Sequence, residues 1–373
     1  MLKPSSKPTV PLFFKIANLL RLDYPLAIVL VLLFGWGTVV LYSASGENFN
    51  AVIRHLIHFG IAFFAMIVFA NIPPTLLQKW SPYFFAVGLL GLFTVLLIGD
   101  TGKGAQRWLD LGFIRFQPSE IMKIAVPMAV AWSINRHPLP PTFFQIIATA
   151  GLIIAPAFLV AQQPDLGTAL LVASSGFFVI FLAGIRFRYL FSLLLLALIA
   201  LPLLWYNMHT YQKQRVLTFL NPESDPLGSG YHIIQSTISI GSGGIYGKGW
   251  LNGSQSQLQF LPERTTDFIF AVMGEEFGLL GACSLLLLYS FIIFRSLYIT
   301  ADAQETYARL LAGSLSLTFF IYVFVNIGMV TGLLPVVGVP LPLVSYGGTS
   351  MVTLMVSFGM IMSAQAHRRL LSG

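Results

Sequence analysis

Residues 25–44 read PLAIVLVLLFGWGTVVLYSA, twenty residues in a row without a charged side chain. A run of this length crosses a bilayer as an α-helix, because hydrocarbon offers no partner to an open backbone. The rest of the chain is similar: 56% of its 373 residues are hydrophobic and only 9% are Asp, Glu, Lys or Arg. Soluble domains carry about 25% charged residues. The composition therefore excludes a soluble enzyme and a disordered chain, and it predicts a protein that crosses the membrane several times.

Ten apolar runs are predicted to span the membrane, so we expect an all-α polytopic membrane protein organised as a single domain over residues 1–373. The fourth run is the weakest, because it is short and contains Lys123 and Pro127. An even number of spans places both termini on the same side of the membrane. The predicted spans cover residues 25–45, 55–72, 82–99, 119–135, 143–161, 167–184, 189–206, 268–294, 308–332 and 349–366.

The basic residues decide the orientation of these spans. With both termini in the cytoplasm, the cytoplasmic segments hold 12 Lys and Arg residues against three acids, and positive charge concentrates on that side of a membrane. The outer side then holds or closely borders 11 of the 14 acidic residues, although acids contribute little to orientation. This excess of acidic residues on the outer side predicts that the polar chemistry faces outward. The alternative explanation is that these acids lie in ordinary solvated loops.

Three connections on the outer side are long, and long segments of this kind are usually functional. They are residues 100–120, a large extracytoplasmic loop between the seventh and eighth spans at about 207–267, and residues 333–349. The third is apolar and rich in Pro and Gly, so we expect irregular backbone that is buried in protein or lines a pocket. Within the second, residues 231–240 are amphipathic. Glycines around Lys248 suggest an amide-rich anion site, although they lack phosphate-loop spacing.

Asp267 closes the second segment and meets the eighth span in the sequence TTDFIFAVMGEEFG. One interpretation is an N-cap residue, although Phe270 stands where a capping box needs Glu or Gln. The other is a carboxylate held at the membrane boundary, partly desolvated and able to take a proton as a general base. Glu275 and Glu276 lie two turns deeper. We expect them to line a cavity or pair with a base, because acids inside a membrane are costly.

Arg107, Arg115 and Lys123 surround the sequence QPSE at residues 117–120. Glu120 and Lys123 are three residues apart on a predicted helix, so one interpretation is a structural ion pair. The other is a cationic clamp for an anionic group at the membrane surface, such as a phosphate. Lys123 is the residue that most favours the second interpretation, because an unpaired lysine within a span is strongly unfavourable.

Other residues limit the possible chemistry. Asp165, in the sequence QQPDLGT, is interpreted as the cap of the sixth span. The six histidines show no zinc-site spacing, and the single cysteine, Cys283, excludes a disulfide framework. The basic residues are scattered rather than gathered in a stripe, which argues against nucleic-acid binding. The sequence requires no cofactor, and it leaves a divalent cation open without a recognisable metal site.

Five stretches of the chain, in this order, resemble the SEDS family (shape, elongation, division and sporulation). The short termini and the final sequence FGMIMSAQAHRRL resemble the rod-shape-determining branch of the family more than the division branch. The stretches are KGAQRWLDLGFIRFQPSEIMKIA (103–125), AQQPDLGTA (161–169), DPLGSGYHIIQSTISIGSGGIYGKGW (225–250), LPERTTDFIFAV (261–272) and a run from Asn326 to Ser350 that contains GLLPVVG and LVSYGGTS.

The resemblance implies a peptidoglycan glycosyltransferase that polymerises lipid II on the outer face of the bacterial cytoplasmic membrane during cell elongation. The proposed catalytic aspartate of the family falls on Asp267, and its important arginine and lysine fall on Arg115 and Lys123. The resemblance also implies a class B penicillin-binding protein as partner, supplying the transpeptidase within the elongation complex. The other ligands would be lipid II and the growing lipid-linked glycan.

The residues are compatible with that chemistry. Asp267 would activate the attacking sugar hydroxyl, by analogy with inverting glycoside hydrolases. The cations would bind the leaving undecaprenyl pyrophosphate; we expect Arg115 and Lys123, with Glu120, Arg107 and Lys248, to form the substrate site. A lipid II flippase would use a similar anion site but needs access from both faces. A non-catalytic scaffold would leave the intramembrane charges unexplained.

Overall fold

The computed structural model describes residues 21–102, 105–110, 115–208, 210–224, 229–258, 260–261 and 263–367. A helix lies at each of the ten predicted runs, and short helices lie between the seventh and eighth. The helices are α1 (Tyr24–Ala44), α2 (Phe49–Asn71), α3 (Pro74–Ile98), α4 (Pro118–Ile134), α5 (Phe143–Gln162), α6 (Leu166–Leu182), α7 (Phe187–Asn207), α8 (Thr210–Leu220), α9 (Ser229–Ser242), α10 (Ser254–Gln257), α11 (Ile269–Ala301), α12 (Thr306–Val330) and α13 (Gly348–Ala366).

Seven helices in the described part of the chain are long and apolar enough to cross a membrane, namely α1, α2, α3, α5, α11, α12 and α13. Helix α6 is also apolar but has 17 residues. The many exposed Leu, Ile and Phe side chains on these helices face where lipid would lie. The molecule is therefore a multi-pass helical membrane protein.

Helix α4, the weakest of the predicted spans, lies at the centre of the bundle. It packs against α3, α5, α6, α12 and α13, and most of its side chains are buried, including Lys123 and Pro127. A short helix with a charged side chain is tolerated here because its neighbours are protein rather than lipid.

A small antiparallel sheet occupies the first long segment, where the sequence pattern predicts only a long connection. Its strands are β1 (Asp100–Gly102), β2 (Ala105–Asp110) and β3 (Arg115–Phe116), in the order β1-β2-β3. Leu109 pairs with Phe116, so the sheet ends two residues before the first residue of α4. The otherwise all-α fold thus carries a β meander that leads directly into its central helix.

The second long segment is largely helical, with α8, a 3₁₀ turn at Pro222–Ser224, α9 and α10. The predicted amphipathic stretch at residues 231–240 is confirmed as part of α9. Its Ile233, Ser236 and Ser239 are buried, and the hydroxyl of Ser236 donates to the carbonyl of Val330 at 2.8 Å. This face attaches α9 to the ends of α11 and α12.

The third long segment is irregular backbone buried in the protein, as predicted. Leu341, Leu343 and Val344 are almost fully buried. The Tyr289 hydroxyl of α11 donates to the carbonyl of Pro342 at 2.7 Å. The segment therefore enters the bundle rather than lying in solvent.

Helix α11 is broken at Gly278, and a glycine-rich turn (residues 243–249) closes the break. Gly278 has φ 62° and ψ −156°, which leaves backbone groups on both sides without helical partners. The turn supplies those partners. The hydrogen bonds across the break are Leu279 N to Gly244 O (2.9 Å), Leu280 N to Ile245 O (3.2 Å), Lys248 N to Glu275 O (3.0 Å) and Gly249 N to Glu276 O (3.0 Å).

The same bonds change the interpretation of the glycines around Lys248. The sequence suggested that their amides would form an anion site, but the amides of Lys248 and Gly249 donate to α11 and that of Gly247 donates to Gly243 at 2.8 Å. These amides already donate hydrogen bonds at the break in α11 and within the turn. They are therefore not positioned to bind a phosphate.

We predict that Gly278→Ala destabilises the protein by about 2 kcal/mol or more, because a side chain strains this backbone conformation. An added Cβ would also lie 2.4 Å from the amide nitrogen of Gly247 and 2.7 Å from the carbonyl oxygen of Ile245. The midpoint temperature of heat-induced loss of the monodisperse peak in detergent measures the effect. Gly151→Ala in α5 is the control, since its Cβ meets no atom within 4 Å. Equal midpoints for the two variants would contradict the prediction.

Candidate active site

Asp267 lies one residue before the N-cap position of α11, which is occupied by Phe268. The side chain of Phe268 makes no capping hydrogen bond. Asp267 is therefore not the residue at the N-cap position, which belongs to its neighbour. Asp267 is partly exposed, whereas every residue from Phe268 to Glu276 is buried. The Asp267 carboxylate therefore lies at the point where the segment of residues 207–267 enters the helix bundle.

A backbone clamp fixes the turn that carries Asp267. The clamp consists of three hydrogen-bonding residues, two of them in the third long segment and one in α12. Each donates to a carbonyl oxygen of residues 265–267, so these bonds engage the backbone of the turn rather than the Asp267 side chain. The bonds are Asn326 Nδ2 to Asp267 O (2.9 Å), Ser345 Oγ to Thr266 O, and Tyr346 N to Thr265 O (2.9 Å).

Gly338 lets the third segment pass close to the Asp267 carboxylate. A Cβ at this position would lie 3.4 Å from Asp267 Oδ2, and φ of +75° is a left-handed conformation that favours glycine. On the other side of the segment, a Cβ on Gly167 of α6 would lie 2.9 Å from the carbonyl oxygen of Val337. Residues 337–339 are thus held between Asp267 and the start of α6.

A buried ion pair joins two of the predicted substrate-binding residues. Lys123 Nζ lies 2.6 Å from Glu120 Oε1, and both side chains are almost fully buried. The ammonium also lies over the ring of Tyr322 at 4.9 Å from its centre. Glu120 Oε2 and Ser119 Oγ are buried without a hydrogen-bond partner in the described part of the chain. The structural ion pair that the spacing predicts is present, and it leaves one carboxylate oxygen of Glu120 unused.

A second cation lies against the start of α6. Arg107 Nη2 donates to the carbonyl oxygen of Pro164 at 2.8 Å, and Arg107 Nε lies 3.4 Å from Asp165 Oδ2. Asp165 also accepts from the amide of Thr168 at 3.2 Å, so its predicted role as the cap of α6 is confirmed. Arg107 is partly exposed and remains within reach of a ligand.

Helix α12 connects the lysine to the aspartate. Tyr322 contacts Lys123, and Asn326, which holds the backbone of Asp267, follows four residues later. Four residues advance a helix by about 6 Å and return to the same face. Val339, next to Gly338, packs with Tyr322 and accepts from Asn326 at 2.7 Å. The buried cation cluster and the carboxylate therefore border the same segment.

The two remaining predicted residues lie elsewhere. Arg115 is in β3, where its backbone pairs with Asp110, and its side chain lies outside the described part of the structure. Lys248 Nζ contacts Glu275 Oε1 at 2.7 Å and Ser254 Oγ at 2.8 Å. The predicted contact of Lys248 with substrate stays a prediction.

Glu275 and Glu276 hold neighbouring segments to α11. Glu275 is fully buried, and its carboxylate accepts from the amide of Gln255 at 3.0 Å as well as from Lys248. The expectation that this acid pairs with a base is confirmed. Glu276 accepts from the hydroxyl of Ser43 in α1. Each carboxylate thus makes a structural contact, although Glu276 Oε2 is buried without a hydrogen-bond partner in the described part of the chain.

Sequence reasoning missed Tyr322, Ser345 and His232 as members of the site. His232 of α9 stacks on Phe268 with ring centres 5.7 Å apart, and burial lowers the pKa of its imidazole. It is therefore mainly neutral at pH 7 and adds little positive charge beside Asp267. A buried hydroxyl or imidazole leaves no periodic signal in a sequence, because its role depends on residues far away in the chain.

Within the described residues, no group of three or more His, Cys, Asp or Glu is placed to hold a metal ion. Glu120 and Asp165 are each engaged by a cation, so these two carboxylates are not arranged as a ready ligand set.

Comparison with known proteins agrees with these motifs. A profile of the FtsW/RodA/SpoVE family, described as "Cell cycle protein", matches residues 24–370. The peptidoglycan glycosyltransferase MrdB of Escherichia coli (strain K12) is 53% identical over 353 residues, which cover 94% of this chain and 95% of that protein.

Two solved structures are similar over 92% of this chain. One, described as structural coordination of polymerization and crosslinking by a peptidoglycan synthase complex, has a TM-score of 0.80 at 32% identity and is covered over 97% of its chain. The other is the rod shape determining protein RodA of Thermus thermophilus, with a TM-score of 0.70 at 27% identity and 96% of its chain covered.

We predict that Glu120→Gln and Lys123→Met each destabilise the protein by about 3–5 kcal/mol, because each leaves an unpaired buried charge. The double variant should recover most of that loss. Thermal unfolding in detergent measures the three variants as a double-mutant cycle, and Lys79→Met, at an exposed lysine, is the control. Additive losses would show that the two side chains are not coupled.

Proposed function

Because the chain belongs to the FtsW/RodA/SpoVE family and is a peptidoglycan glycosyltransferase, we propose that it polymerises lipid II with Asp267 as the general base. The observation that carries the proposal is the backbone clamp, which holds the Asp267 turn while its carboxylate faces Gly338 at the edge of the bundle. A base must be held in place relative to the hydroxyl that it deprotonates, and buried hydrogen bonds provide that precision.

The reaction joins an acceptor hydroxyl to a lipid-linked donor. The 4-hydroxyl of the acceptor sugar transfers its proton to the Asp267 carboxylate as its oxygen attacks the anomeric carbon of the donor. The bond from that carbon to the phosphate oxygen breaks, and undecaprenyl pyrophosphate leaves with the bonding electrons. One direct displacement inverts the anomeric centre, as in inverting glycoside hydrolases.

The leaving group carries negative charge that the protein must stabilise. We assign this role to Arg107 and Lys123, at the side of residues 337–339 away from Asp267, and to Arg115, whose backbone lies in β3. Glu120 and Asp165 hold Lys123 and Arg107 in position, so that the cations are oriented before the charge develops. Lys248 is kept as a further candidate ligand, and a divalent cation at the pyrophosphate stays part of the proposal.

The membrane arrangement follows the sequence prediction. We propose ten spans in the bacterial cytoplasmic membrane, with both termini in the cytoplasm and residues 207–267 outside. The segment that carries Asp267 would then face the compartment where peptidoglycan is built. The similarity to a synthase complex that couples polymerisation to crosslinking supports a class B penicillin-binding protein as partner during elongation.

The alternative of a lipid II flippase requires a path between the two faces. Charged side chains inside the bundle are instead joined in ion pairs, Lys123 with Glu120 and Lys248 with Glu275. These observations favour a reaction at one face over transport through the bundle.

We predict that Asp267→Asn abolishes glycan-chain formation from lipid II by the purified protein with its penicillin-binding partner. The amide keeps the size of the side chain and removes the base, so a loss of at least about 10²-fold in rate is expected. Gel separation of glycan strands from labelled lipid II measures it, with thermal stability and partner binding of the variant checked in parallel.

Undiminished polymerisation by this variant would remove Asp267 from the mechanism. Absence of polymer from the wild-type complex, under conditions where another synthase works, would favour the flippase. The same assay without the partner shows whether polymerisation depends on it.

A second prediction concerns the clamp. Ser345→Ala should lower kcat on the order of tenfold with little change in KM, because a misplaced base costs rate rather than substrate affinity. Ser345→Thr, which keeps the hydroxyl, should recover much of the rate. Ser174→Ala is the control, since among the described residues the Ser174 hydroxyl bonds only within its own helix, to Leu171 at 2.9 Å. A loss of stability with unchanged kcat would mean that Ser345 is structural alone.

A further inference from the structure

An open cleft of about 550 Å³ lies on the other side of the clamp, between α1, α2 and residues 263–265. Its charged lining side chains are Arg54, Arg264 and Glu263, which sum to one positive charge. Tyr346 forms part of the wall. No role assigned so far uses this cleft or either arginine.

The two arginines are engaged to different extents. Arg54 is exposed and makes no hydrogen bond or ion pair in the described part of the chain. Arg264 is partly buried and donates to the carbonyl oxygen of Ser256, and burial lowers the pKa of its guanidinium, which still stays charged at neutral pH. Glu263 accepts from the hydroxyl of Thr266 at 3.1 Å. Arg54 is thus the cation that is available to a ligand.

The cleft lies at a membrane boundary. Arg54 is in the second turn of α2, and an exposed apolar stripe begins beside it and continues down the helix at Ile53, Ile57, Ile61 and Phe64. An anion bound at Arg54 would have hydrocarbon immediately below it. This arrangement suits a molecule that combines a phosphate group with a long apolar chain.

The cleft also adjoins the proposed base. Thr265 lines it, and its carbonyl oxygen accepts from the amide of Tyr346, another lining residue. Asp267 follows two residues later and faces Gly338 on the opposite side of the clamp. The turn that carries Asp267 therefore adjoins the cleft, and the carboxylate itself borders residues 337–339.

We infer that this cleft binds the diphosphate of the acceptor lipid II, with Arg54 as its principal ligand. The inference rests on the proposed function, in which donor and acceptor both carry a lipid-linked pyrophosphate. Because the cluster of Arg107 and Lys123 serves the departing pyrophosphate, the acceptor needs a separate anion site within reach of Asp267. Arg54 forms and breaks no covalent bond; it positions the acceptor through charge-assisted hydrogen bonds.

The test varies lipid II as acceptor while a preformed short lipid-linked glycan is held saturating as donor, in nanodiscs of neutral phospholipid. Arg54→Gln should raise KM for lipid II about tenfold, as expected for one lost charge-assisted contact, and leave kcat nearly unchanged. Arg54→Lys should recover part of the affinity. Arg186→Gln is the control, at an exposed arginine between α6 and α7.

A binding measurement separates this inference from the proposed function. In the Asp267→Asn background, which cannot turn over, labelled lipid II should bind more weakly after Arg54→Gln. If wild type polymerises but neither KM nor binding changes, the cleft inference fails and the proposed function stands. If phosphatidylglycerol displaces lipid II from the cleft at comparable concentration, the cleft is a general phospholipid site and the inference is overturned. If wild type forms no polymer, the proposed function fails, and an acceptor site at Arg54 is overturned with it.

Discussion

Irregular backbone inside a membrane protein must find partners for every amide and carbonyl, because no water is available to them. Residues 333–349 meet this constraint by bonding to side chains of the surrounding helices, including Asn326 and Tyr289. The same segment then binds the carbonyls of residues 265 and 266 through Tyr346 and Ser345. The position of Asp267 is therefore a consequence of satisfying buried backbone, and the precision of the site follows from the cost of leaving such groups unpaired.

Charged side chains inside the bundle also need partners, because burying an unpaired charge is costly. Lys123 with Glu120 and Lys248 with Glu275 each place opposite charges within 2.7 Å. Pairing reduces the desolvation cost, but it also limits what each cation can do. A cation that already has a carboxylate can share its charge with a departing anion and let it go, whereas an unpaired cation retains an anion more strongly. The buried cluster is in this sense suited to a leaving group.

The sequence predicts those features that depend on local patterns. Apolar runs located the long helices, the sequence QQPDLGT located the cap at Asp165, and the spacing of Glu120 and Lys123 predicted their pair. The β meander and the break at Gly278 were not predicted, because both depend on hydrogen bonds between residues distant in sequence. Lys248 shows the difference: its glycine neighbours suggest an anion site, but the amides are used by α11.

In the proposed mechanism one carboxylate serves two lipid-linked substrates, and the two groups of cations differ in a way that fits their proposed roles. Arg107 and Lys123 are paired with acids, while Arg54 makes no ion pair in the described part of the chain. A donor site must release its pyrophosphate after every transfer, and an acceptor site must hold its substrate through the transfer. Paired cations suit release, and an available arginine beside an apolar helix face suits retention. In the proposed mechanism, with the donor at Arg107 and Lys123 and the acceptor at Arg54, this charge pattern would assign a direction to chain growth.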